Sequence, residues 1–66
     1  MKDLRNNLKE TRITNGLSQE SLAVSVGVTR QTIISIEKGA YQPSVGLAVK
    51  LAKKLNKTVE SLFYFK

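Results

Sequence analysis

The 66-residue chain contains no cysteine and no histidine. Without cysteine there is no disulfide and no thiolate zinc site to reinforce the fold. Without either residue, the usual general bases, thiol nucleophiles and soft metal ligands are missing. Acidic residues are scarce, five in all, and scattered, so no carboxylate pair is set up for acid–base work. No glycine-rich phosphate loop appears. The chain is therefore expected to be no enzyme, to hold no metal and no cofactor, and to bind no small-molecule ligand. Long apolar runs are also missing: nothing approaches the ~20 residues that span a bilayer. The opening Met1-Lys2-Asp3-Leu4-Arg5 lacks the apolar core, roughly 7–15 residues long, of a secretory leader. A cytoplasmic protein with no membrane partner is expected.

Positive charge is plentiful. Eleven Lys and Arg oppose the five acids, for a net charge of +6, and a short basic chain favours a polyanionic partner. The length allows one domain, 1–66. A domain this small buries only about 60% of the surface its unfolded chain exposes. With no covalent staple, it needs efficient helix packing or a partner subunit.

Apolar residues recur at helical spacing, and helix punctuation separates them, so the expected fold is all-α with five short helices. The first is predicted over 3–15, capped by Asp3, with Leu4, Leu8, Thr11 and Asn15 on one face and Asn15-Gly16 ending it. The second covers 19–25 behind Ser18, with Leu22, Ala23 and Val26 on its apolar side. Gly27 supplies a tight turn that needs a positive φ. The third follows Thr29 and ends near Lys38-Gly39. Its Thr32, Ile33, Ile34 and Ile36 are poor helix formers, so packing must hold it. Ser44 caps a fourth helix over 45–55, with Leu47, Ala48, Leu51, Ala52 and Leu55 as its stripe and Asn56 as its C-cap. Lys50, Lys53, Lys54 and Lys57 crowd its outer side and C-terminal end, where cations suit the helix dipole. Gly46 in this helix has no evident reason in the sequence. Thr58 caps a last turn over 59–63.

The central unit, about 18–38, is helix, glycine turn, helix: Ser18-Gln19-Glu20-Ser21-Leu22-Ala23-Val24-Ser25-Val26-Gly27-Val28-Thr29-Arg30-Gln31-Thr32-Ile33. Two helices crossing steeply need a small residue at the contact, here Ala23, and apolar wedges, here Leu22, Val28 and Ile33. The second helix then turns its first polar residues outward. Arg30 suits guanine and Gln31 adenine in a major groove, while Thr29 suits a thymine methyl or a phosphate.

This stretch resembles the phage-repressor and Cro-type (XRE-like) helix-turn-helix family. The resemblance extends through Ile36-Glu37-Lys38-Gly39, Pro43-Ser44, Leu47-Ala48 and Lys50-Leu51-Ala52, over about residues 4–63. It implies double-stranded DNA as the partner, with Arg30, Gln31 and Ser35 contacting bases. It implies Gln19, Thr29, Lys38 and Tyr41 as backbone contacts, Gln19 also bracing the first base reader. Arg12 and Glu37 stand where the family often has a buried ion pair joining the first and third helices.

Three of the last four residues, Phe63, Tyr64 and Phe65, are aromatic. Leu62 and Phe63 are expected in the core. Tyr64 and Phe65 are expected exposed or against a second subunit, with Phe63, Tyr64 and Phe65 as candidate homodimer contacts in a tail spanning 63–66. The expected function is a dimeric, sequence-specific transcriptional regulator, a repressor by operator occupancy. The rival reading is a protein–protein module, antitoxin-like or an adaptor, using the same fold.

Overall fold

The computed structural model describes residues 3–66; Met1 and Lys2, part of the opening read above for a leader, lie outside the described residues. In chain order the elements are β1 (Leu4–Asn6), α1 (Leu8–Thr14), α2 (Gln19–Val26), α3 (Arg30–Glu37), α4 (Val45–Leu55), α5 (Val59–Leu62) and β2 (Phe63–Phe65). Among the described residues no helix is long and apolar enough to cross a membrane.

Four of the five helices start where a hydroxyl can cap them. Ser18 accepts from the Ser21 amide, Thr29 from Thr32, Ser44 from Leu47 and Thr58 from Ser61, at 2.9–3.3 Å. Each such bond satisfies one of the amides that a helix start leaves unpaired. Four breaks use left-handed backbone, at Gly16, Gly27, Gly39 and Asn56. Gly27 has φ 78° and Asn56 has φ 57°, conformations that glycine and asparagine tolerate best. Gly27 turns α2 directly into α3.

The first helix departs from expectation. Asp3 is not a cap, and residues 4–6 are extended rather than helical. Asp3 instead offers its carbonyl to the Lys66 amide at 3.1 Å. The helix begins at Leu8, whose amide is bound by the Asn6 side-chain oxygen at 3.1 Å. The Asn6 side-chain nitrogen in turn donates to the Ile36 carbonyl at 2.9 Å, so one side chain both opens α1 and satisfies a carbonyl of the last turn of α3. Asn6 and Asn7 bring little helix propensity, whereas the Phe-Tyr-Phe tail is strongly β-prone. Pairing across the chain ends therefore overrides the local pattern. The all-α expectation gains a two-stranded antiparallel ribbon, with Leu4 opposite Phe65, Arg5 opposite Tyr64 and Asn6 opposite Phe63. The last helix correspondingly stops at Leu62, with Phe63 already extended at φ −124°, ψ 124°.

The core lies where α1, α2, α3, α4 and α5 converge. Leu8, Leu22, Ile33, Ile36, Leu51, Leu55 and Leu62 are fully buried, with Ala23 and Ala52 allowing close helix approach. Leu17, Val28, Leu47, Val59 and Phe63 close its edges. The β-branched α3 is held by this packing, through Ile33 and Ile36.

Candidate nucleic-acid interface

The turn at Gly27 leaves the first residues of α3 projecting from the surface. Arg30 and Gln31 are exposed and Ser35, one turn on, is half-buried. Gln31 donates to the Ser35 hydroxyl at 3.3 Å, so these two side chains stand together. The helix has eight residues, about 12 Å of axis, comparable to the roughly 12 Å width of a B-DNA major groove.

Two shallow hollows flank this end of α3. One, on the α2 side, is lined by Arg12, Ser18, Gln19, Glu20 and Arg30. The other, on the side of the α3–α4 loop, is lined by Thr29, Gln31, Thr32, Ser35 and Tyr41. The fold thus gathers Gln19, Thr29, Arg30, Gln31, Ser35 and Tyr41 around one surface. Tyr41 reaches it because the Ala40 and Tyr41 amides both donate to the Ser35 carbonyl, at 2.9 and 3.3 Å. Lys38 lines neither hollow; it is the exposed C-cap of α3. Thr29 is partly committed elsewhere, since its hydroxyl caps α3 and lies 3.0 Å from the Thr32 hydroxyl.

Beneath the surface, Arg12 and Glu37 form the ion pair expected of them. Arg12 Nε donates to Glu37 Oε2 at 2.6 Å and Nη2 to Oε1 at 3.3 Å, while Nη1 donates to the Leu17 carbonyl at 2.9 Å. Both side chains are at least nine-tenths buried. A buried guanidinium needs this density of acceptors, because an unpaired charge there would be costly. Gln19 is tied to the same carboxylate: its Nε2 donates to Glu37 Oε1 at 3.2 Å. Its side-chain nitrogen is bound to Glu37, where the resemblance implied a brace for the first base reader. Sequence reasoning missed this bond and the Asn6 link to α3; spacing along one chain carries no signal for either.

The aromatic tail divides. Phe63 is half-buried against the core, whereas Tyr64 and Phe65 are 40% and 68% exposed. All three belong to the ribbon, so their backbone pairs within the chain rather than hanging free for a partner. The ribbon nonetheless adjoins an apolar groove lined by Leu4, Gln42, Pro43, Val45, Ala48, Val59 and Phe63. Val45 in it is 83% exposed. The sequence did not single out this groove, because an apolar residue one position into a helix reads like any other.

Comparison with known proteins agrees with this geometry. A family model described as Helix-turn-helix matches residues 8–62. The chain is 47% identical over 62 residues to an uncharacterized HTH-type transcriptional regulator of Archaeoglobus fulgidus, covering 94% of this chain and 89% of that one. It is 48% identical over 61 residues to the uncharacterized HTH-type transcriptional regulator YgzD of Bacillus subtilis, covering 92% of each. Among solved structures, the restriction-modification controller protein C.AhdI of Aeromonas hydrophila superposes with a TM-score of 0.78 at 38% identity, covering 85% of this chain and 81% of that chain. The chain belongs to the helix-turn-helix family and is a DNA-binding transcriptional regulator.

Proposed function

We propose that the chain, acting as one domain, binds a specific DNA operator as a homodimer and represses by occupying it. The observation that carries the reading is the clustering of Arg30, Gln31 and Ser35 on the exposed side of α3, flanked by Gln19, Thr29 and Tyr41, with Lys38 exposed at the far end of the helix. In this reading α3 enters the major groove. Arg30 pairs with guanine and Gln31 with adenine, and Ser35 contacts a neighbouring base. The other four hold the phosphates, which orient the protein without reading sequence. The net charge of +6 adds long-range attraction and strong salt dependence. The reading entails a cytoplasmic location, alongside the DNA.

The homodimer is supported by the apolar face. Val45 and Phe65 are large, apolar and mostly exposed beside the groove of Leu4, Pro43 and Phe63. A contiguous exposed apolar patch on a small protein marks a contact surface. This face begins at Gln42 and Pro43, next in the chain to Tyr41 at the α3 surface. A second copy seated there would give the protein a two-fold symmetry, which a palindromic operator with half-sites about 34–36 Å apart calls for.

The test is selection of bound duplexes from a random pool at about 150 mM salt, a strength at which phosphate contacts alone bind weakly. The expected result is a palindromic consensus with half-site centres one helical turn apart. No enrichment over random DNA would instead assign the apolar face to a protein partner and sink the operator reading.

A further inference from the structure

The bond between Gln19 and Glu37 places a DNA-facing side chain on a buried anchor. An ionised carboxylate only accepts hydrogen bonds. Glu37 Oε1 therefore dictates which end of the Gln19 carboxamide turns toward it: the nitrogen, at 3.2 Å. That nitrogen carries two hydrogens. One is consumed by Glu37 and the other remains free to donate. Without the carboxylate the amide could flip and offer its oxygen, which a phosphate would repel. Arg12 is the third member. It grips both oxygens of Glu37, at 2.6 and 3.3 Å, and so cancels a negative charge that would otherwise lie under a phosphate-binding surface. The three groups come from α1, α2 and α3, so the anchor also sets α2 relative to the reading helix.

We propose that Glu37 is a positioning residue for DNA binding: held by Arg12, it fixes the carboxamide of Gln19 with its remaining N–H available to a DNA phosphate. The proposal rests on Gln19 being a phosphate contact. It assigns the buried ion pair a part in recognition as well as in folding, because an amide already fixed in its bound rotamer loses less freedom when DNA arrives.

The test compares Gln19→Ala, the double change Arg12→Met with Glu37→Met, and all three together. Replacing a buried ion pair by apolar side chains of similar volume commonly preserves stability, so the double variant separates folding from positioning. The probe is one fixed duplex of mixed sequence at about 50 mM salt, because phosphate contacts are independent of sequence and strong there. Thermal unfolding is followed in parallel.

Gln19→Ala is expected to weaken binding roughly tenfold, the scale of one hydrogen bond to a charged group. The double variant should lose a similar factor while unfolding at or above the parent temperature, and the triple variant should lose no more. Parent-like binding by the double variant, or a triple loss equal to the product of the other two, overturns the proposal and leaves Gln19 as an independent phosphate contact. Parent-like binding by Gln19→Ala overturns the phosphate reading of Gln19 itself, and the proposal with it. Should the double variant fail to fold, side-chain amide exchange in the unaltered protein decides. The Gln19 amide is expected to exchange more slowly than that of exposed Gln42; equal exchange overturns the anchor.

Discussion

Two of the exposed faces of this small molecule differ sharply in chemistry. On the α3 face the exposed groups are Arg30, Gln31 and Lys38, with Tyr41 at the rim. Beneath them lies a hydrogen-bonded network of Arg12, Glu37 and Gln19. Where α4 meets the ribbon, the exposed groups are Val45 and Phe65, over a groove of Leu4, Pro43, Val59 and Phe63. The first face can satisfy a charged, hydrogen-bonding partner and gains little from an apolar one. For the second the reverse holds, since covering it releases water from apolar surface. Exposure alone therefore says nothing about the partner; the chemistry of what is exposed, and of what supports it, does.

The sharpest way to break this contrast lies under the polar face. Glu37→Ala leaves Arg12 buried without its carboxylate and should cost about 3–5 kcal/mol, enough to unfold a marginal domain. Urea or thermal unfolding should display it, and an unchanged midpoint would remove the network from the stability of the fold. On the apolar face, the proposed homodimer predicts that Val45→Lys and Phe65→Lys should each weaken self-association by roughly 3 kcal/mol, counting about 1.5 kcal/mol in each of two copies, or about a hundredfold. Sedimentation should then report monomers with an unchanged far-UV spectrum. If Arg30→Ala weakens self-association as effectively, the division between the two faces is wrong.

Smaller effects should fall on recognition. Arg30→Ala should relax base preference at one operator position at a cost of ~1–3 kcal/mol. A consensus that survives the substitution intact would take base reading away from Arg30. Lys38→Ala should weaken all duplexes alike and reduce the salt slope by about 1, so a sequence-dependent loss there would move Lys38 from the backbone to the bases. The smallest effect belongs to Gly46. A Cβ added there meets only the Ser44 hydroxyl, at 4.0 Å, so Gly46→Ala should stabilise the helix by roughly 0.5–1 kcal/mol. A loss of stability instead would mean that α4 needs the glycine for a reason its surroundings do not display.

The amino-acid sequence by itself determined the helix-turn-helix unit and the helix after it. Their signals are local: Ser18, Thr29 and Ser44 as caps, Gly27 as the turn, and apolar residues at helical spacing in between. Such signals act within a few residues and are readable along the chain. The outward placement of Arg30 and Gln31 follows from the same local geometry, and the Arg12–Glu37 pair was legible through the resemblance to a family. Tertiary structure alone decided the fate of the chain ends. Leu4, read as the first apolar position of a helix, became a strand residue because Phe65 lies opposite it, a pairing between residues at opposite ends of the sequence. It also decided that Gln19 would donate to Glu37 and that Asn6 would satisfy Ile36, and it assembled the apolar groove from the first strand, the α3–α4 loop, two helices and the last strand. The physical reason is one of range. Caps, turns and helical periodicity act between near neighbours, whereas strand pairing, buried polar bonds and composite surfaces exist only once distant segments have been packed together.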